Sequence, residues 1–115
     1  MKKIEAIIRP LRLEPVKAAL AEEGNITGLT VSDVRGSGRH GGHPVGIYRG
    51  HEYVITLPPK IKVELTVPDG DADRIVDLII THARTGEEGD GKIFVLPMGD
   101  AIRVRTGDHG DAAVT

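Results

Sequence analysis

A strand, a proline and a helix follow one another twice along this chain, and that repetition limits the available folds more than any other feature. In the first copy, Ile4, Ala6 and Ile8 alternate with Glu5, Ile7 and Arg9 across residues 3–9, and Pro10 ends the run. Leu13, Val16 and Leu20 then recur at helical spacing through residues 13–23, with Pro15 near the start and Gly24 beyond the end, as helix termini favour. In the second copy, Ile61, Val63, Leu65 and Val67 alternate with Lys60, Lys62, Glu64 and Thr66, and Pro68 stops them. Ile75, Val76, Ile79, Ile80 and Ala83 follow on one helical stripe. Strict alternation means that one face of each strand is packed while the other stays polar.

Each copy is followed by a further strand, residues 28–35 and 92–98. The order βαββαβ predicts an α+β, ferredoxin-like split βαβ sandwich with both helices on one face of the sheet. The opposite face then needs a cover. With aromatics at only 3% and no tryptophan, a small core gains little from large rings. Association into a trimer is the expected source of the missing burial. A length of 115 residues suits a single domain, 1–115. No run of about 18 apolar residues exists, so no membrane span is predicted, and the opening residues read as a strand rather than a leader. The absence of cysteine excludes disulfides, thiolate metal sites and cysteine nucleophiles, and agrees with a cytoplasmic location. A net charge of −2 gives no general case for binding nucleic acid.

Between residues 36 and 50 the pattern collapses. Gly36, Gly38, Gly41, Gly42, Gly46 and Gly50 interrupt it, and a long loop is predicted there. Its order is expected to arrive only with a ligand or partner. Ile102–Arg105 is a candidate for further pairing, and the tail beyond Gly107 is expected to be mobile.

Four groups of residues invite chemistry. In Thr85-Gly86-Glu87-Glu88-Gly89-Asp90-Gly91-Lys92, Gly89 and Gly91 would let backbone N–H groups approach a phosphate and Lys92 would add charge. A glycine turn into a strand explains the same residues. Arg103-x-Arg105-Thr106-Gly107 would aim two guanidinium groups the same way from an extended chain, a fork suited to polyphosphate, or would leave two solvated arginines on an edge strand. His40, His43 and His51 offer imidazoles in the glycine-rich stretch, but no acidic or cysteine partner completes a metal site there. Lys60 and Lys62 share a polar strand face. No Ser-His-Asp arrangement and no close carboxylate pair is readable.

Taken in order along the chain, these pieces resemble the P-II signal-transduction family, known for nitrogen regulation. Met1 to Pro10 looks like its opening, and Tyr48-Arg49-Gly50-x-Glu52-Tyr53 looks like the end of its T-loop. Thr85-Gly86 with Gly89-Asp90-Gly91-Lys92-Ile93-Phe94-Val95 looks like its B-loop and fourth strand. Arg103-x-Arg105-Thr106-Gly107 looks like its C-terminal nucleotide segment. The resemblance implies a T-loop at about 37–56, a B-loop at about 84–92 and a C-terminal segment at about 102–115. It implies a homotrimer that binds ATP or ADP in three inter-subunit clefts, and a regulator rather than an enzyme. Ile7, Thr30, Gly36, Gly38 and Glu64 would border the adenosine. Arg39, Gly89, Asp90, Gly91, Lys92, Arg103 and Arg105 would hold the phosphates.

The family's magnesium-coordinating glutamine is replaced by His40, an aromatic by Ser37, and lysines by Gly41 and Glu87. Asn25 and one residue near Gly46 look inserted. Mg²⁺ prefers oxygen ligands, so weak 2-oxoglutarate binding is expected. Lys60 remains to pair with an acidic effector, which makes bicarbonate the alternative. Tyr53 matches the tyrosine that some members have uridylylated, and His51 stands where others carry a phosphorylated serine. The expected target is a membrane transporter or metabolic enzyme in nitrogen and energy metabolism. The reading from a different class, a small ferredoxin-like enzyme, lacks a catalytic constellation.

Overall fold

The computed structural model describes residues 1–26, 28–37, 45–48, 51–54 and 57–115, with the backbone alone for 45–48 and 51–54. The repeated unit is present in both halves. Strand β1 (Lys2–Ile8) leads through a 3₁₀ turn, Pro10–Arg12, into helix α1 (Leu13–Ala21). Strand β5 (Pro59–Val67) leads through a 3₁₀ turn, Asp69–Asp71, into helix α2 (Ala72–Ala83). Arg12 N bonds to Arg9 O in the first turn and Asp71 N to Pro68 O in the second, both at 3.0 Å. Strands β2 (Thr30–Arg35) and β6 (Gly91–Pro97) follow the two units.

The sheet order is β2-β5-β1-β6, with antiparallel pairing throughout. This is the strand order of the ferredoxin-like split βαβ arrangement. Ile4, Ala6 and Ile8 face Leu65, Val63 and Ile61 in register. Together with Val67 they form one apolar layer, and Val16, Leu20, Ile75 and Ile79 from the helices close over it. Ile4, Ala6, Val16 and Ile75 are wholly buried. The alternation that defined the strands in sequence is therefore the packing boundary. The halves are also joined by polar ties. Arg12 donates through Nε and Nη2 to the carbonyl of His82 at 2.9 and 2.6 Å, satisfying an acceptor at the end of α2 that the helix cannot use. Arg74 pairs with Glu23 and Asp71.

Two regions differ from the expectations. The stretch predicted as plain loop contains a hairpin, β3 (Val45–Tyr48) with β4 (His51–Val54), registered Val45 to Val54 and Tyr48 to His51. Val45, Ile47, Tyr48, Tyr53 and Val54 are residue types that favour strands, and the dense glycines obscured so short a signal. Ile102–Arg105 does not join the sheet. Ile102 makes one isolated bridge to His109, and the chain turns back at Val104–Thr106. Nor does the tail run free: it ends in the single helical turn α3 (Asp111–Val114). Arg103 holds that turn through its guanidinium, and Asp100 fixes the returning backbone by accepting from Gly110 N at 3.0 Å.

Candidate nucleotide-binding surfaces

Among the described residues, the sheet face away from the helices is met only at Lys3, Glu64 and Thr66, where Ala113 and Val114 of α3 share a recess with them. Glu5 and Glu64 lie opposite one another across β1 and β5, a repulsive placement for like charges. Lys3 and Lys62 relieve it. Lys3 Nζ lies 3.3 Å from both carboxylates, while Lys62 Nζ lies 3.2 Å from Glu64 and 3.9 Å from Glu5. The Lys62 and Lys3 ammonium groups hold the Glu64 carboxyl below its ordinary range, and bonding to Glu5 and Glu64 raises Lys3. On the same face Phe94 and Leu96, in register with Glu5 and Lys3, keep 49% and 39% of their surface exposed. Apolar side chains left open beside a neutralised charge lattice suit contact with another protein surface.

The residues singled out from sequence fall into two groups. Thr30, registered against Glu64, shares a recess of about 680 Å³ with Glu64, Arg103 and Arg105. Ile7 shares a second recess, of about 380 Å³, with Asp90, Gly91 and Lys92. Lys92 and Lys62 flank Ile7 from the two neighbouring strands. Gly36 stands at the neck of the glycine-rich stretch, its N–H donating to Pro58 O at 3.2 Å. Gly38, Arg39 and His40 lie outside the described residues, as do the side chains of Tyr53 and His51. Among the described residues, no group of three His, Cys, Asp or Glu side chains could hold a metal ion. Among them also, no helix is long and apolar enough to cross a membrane.

The B-loop takes its shape from within. Gly86, Gly89 and Gly91 adopt φ values of 91°, 93° and 109°, which side chains resist. The carboxylate of Asp90 accepts from Thr85 N and Gly86 N, each at 2.9 Å, and from the Thr85 hydroxyl. It also accepts from Arg9 Nε at 3.0 Å. These donors, Thr85 foremost, hold its pKa far below the ordinary carboxylate range. Asp90 is thus committed to the loop itself, and an anionic carboxylate is a poor partner for phosphate. Its geometry is that of an internal fastener beside Gly91 and Lys92.

Arg9 and Lys60 complete the fastening, a role that sequence reading missed for both. Arg9 Nη2 donates to Glu88 O and Lys60 Nζ to Gly89 O, both at 2.6 Å. Burial, with the Arg9 guanidinium close by, lowers the Lys60 pKa. The signal was available in principle. Arg9 and Lys60 sit at the ends of β1 and β5 next to the start of β6, so the sheet topology brings both to the B-loop. That adjacency appears only once β1 is known to lie between β5 and β6.

Sequence comparisons agree with this architecture. The profile of the family described as nitrogen regulatory protein P-II matches residues 1–108. The chain is 54% identical over 114 residues to nitrogen regulatory protein P-II 1 of Escherichia coli (strain K12), covering 99% of this chain and all of that one. Nitrogen regulatory protein P-II of Nostoc punctiforme is also 54% identical, and that of Klebsiella oxytoca 53%, with the same coverage.

Proposed function

Because the chain belongs to the nitrogen regulatory protein P-II family, we propose that this signal-transduction regulator binds ATP or ADP in clefts shared between neighbouring subunits of a homotrimer. One observation carries the reading. The residues suited to a nucleotide lie in two separate recesses, one with Arg103 and Arg105 and one with the B-loop and Lys92. Each recess is half of a site, and a second copy of the chain would supply the other half. Glycine backbone and Lys92 would then meet the phosphates from one side, and Arg103 and Arg105 from the other. The open part of that sheet face, with its exposed Phe94 and Leu96, is the surface that assembly would bury.

The protein acts by binding rather than turnover, in the cytoplasm, on a transporter or enzyme of nitrogen metabolism reached through the T-loop. The neck of that loop adjoins the B-loop through Lys60 and Gly89, so occupancy of one would be felt at the other. A small anion, 2-oxoglutarate or bicarbonate, is the second input, with Lys60 as its cationic partner and Mg²⁺ as the companion ion of the nucleotide.

Subunit mixing tests the shared cleft. Lys92→Ala and Arg105→Ala are each expected to weaken ATP binding roughly 10- to 100-fold by calorimetry, through loss of a charge-assisted contact. Co-expressed in equal amounts and assembled at random, they restore about a quarter of the sites, because one interface in four combines an intact Lys92 with an intact Arg105. If mixing restores nothing, each chain carries its whole site and the proposal fails. Separately, light scattering at micromolar concentration is expected to give three times the chain mass. A monomer would remove the proposed cover of the open sheet face.

A further inference from the structure

Arg103, one of the two arginines of the larger recess, is already occupied by the chain's own tail. Its guanidinium Nη2 donates to the backbone oxygens of Ala112 and Thr115 at 3.0 and 3.1 Å. Nη1 pairs with a carboxylate oxygen of Asp108 at 3.3 Å. The arrangement is built rather than incidental. Arg103 N donates to Asp108 O at 2.9 Å, and Arg103 O accepts from Gly107 N at 2.7 Å. The Thr106 hydroxyl holds the same Asp108 oxygen at 2.8 Å. At the base of the hook, Asp100 accepts from Ala101 N and Gly110 N and pairs with His109 Nδ1 at 2.8 Å. Ala113 and Val114 of the same tail form part of the recess wall.

We propose that residues 108–115 act as a built-in competitor for the nucleotide, with Asp108 and the backbone oxygens of the tail standing where phosphate oxygens would bind Arg103. This rests on the nucleotide reading above and adds its regulation. The ligand class is a nucleoside polyphosphate. A guanidinium binds anionic oxygen strongly, so Asp108 contributes one half-exposed ion pair, and the two backbone oxygens of the tail together contribute the larger share. Nucleotide enters fully only when the hook opens, and the apparent affinity falls by the fraction of chains in which it is open. Opening the hook also frees α3 from the recess wall, so the tail reports occupancy at the protein surface.

Calorimetric titration of ADP and ATP into three proteins tests this. They are the full chain, Asp108→Asn, and a chain ended after Gly110. Asp108→Asn keeps the side-chain size and the Thr106 contact while removing the charge. It is expected to gain two- to five-fold in affinity, the effect of breaking a half-exposed ion pair. The shortened chain is expected to gain about ten-fold, two hydrogen bonds to a charged donor being removed. Unchanged or weaker binding in both variants shows that the tail positions Arg103 rather than occupying it, and overturns the inference alone. Absence of binding by all three proteins overturns the nucleotide reading and the inference with it. Binding by the shortened chain but not by the full chain supports both.

Discussion

Gly91→Ala is expected to destabilise the protein by roughly 2–5 kcal/mol and to remove nucleotide binding, the most severe outcome of any B-loop substitution. Gly91 begins β6 at φ 109°. A Cβ built there would lie 1.7 Å from the carbonyl oxygen of Ile7 and 2.8 Å from its carbon. Both are backbone atoms of the central strand, so no side chain can swing away to make room. Either the Ile8–Gly91 pair opens or the strand shifts. Backbone strain costs about 1–3 kcal/mol and overpacking a similar amount. Gly89→Ala is the informative control. Its backbone is strained in the same way, but a Cβ would meet only the ends of Arg9 and Lys60, at 3.4 and 3.7 Å, and long side chains yield. Urea unfolding of the two variants measures the difference. Equal midpoints would mean that the close approach of β1 and β6 at Gly91 is not a constraint.

Asp90→Ala is expected to cost about 2–3 kcal/mol, since four donors lose one ionised acceptor. The loss depends on pH with a definite sign. The folded carboxyl is held far below its usual pKa, so its contribution is complete above the unfolded value of about 4 and is withdrawn as pH falls below it. The stability gap between wild type and Asp90→Ala is therefore expected to stay constant between about pH 5 and 8 and to narrow on acidification below about 4. Urea unfolding across that range checks it. A gap that narrows near neutrality instead would assign the fastening to a different group.

The features legible in the sequence were those that burial imposes. Ile4, Ala6, Ile8 and Ile61 to Val67 alternate because one face touches the core, and that period fixed β1 and β5 and, through them, the repeat. Ile75, Ile79 and Ala83 marked α2 for the same reason. The hairpin at 45–54 was missed because four-residue strands among glycines show no period. The hook at 100–115 was missed because it rests on Asp100, Arg103 and Asp108 bonding to particular backbone groups, and hydrogen bonds of that kind have no periodicity to read. Arg103, Arg105 and Lys92 could be singled out as candidate phosphate ligands from charge and spacing. Their division between two recesses could not, because it depends on which strands become neighbours. Asp90 illustrates the limit most plainly. The sequence placed it in one loop with its partner Thr85, while its other partner Arg9 lies beyond the end of β1, 81 residues away.

The order of strands in the sheet also governs how this chain can be made. Strand β1 is synthesised before β5 and β6, yet it lies in the interior of the sheet and pairs with β5 on one side and β6 on the other. Residues 2–8 therefore wait for 59–67, and then for 91–97, before both edges of the strand are satisfied. Neither half of the repeat can finish its own sheet. Each helix is too short to be stable alone, and the apolar layer it rests on is incomplete until residues 91–97 have emerged. Contacts of such long sequence separation slow the search for the native state and leave unpaired strand edges exposed meanwhile. A nascent chain stalled before residue 91 would present β1 with one edge bare.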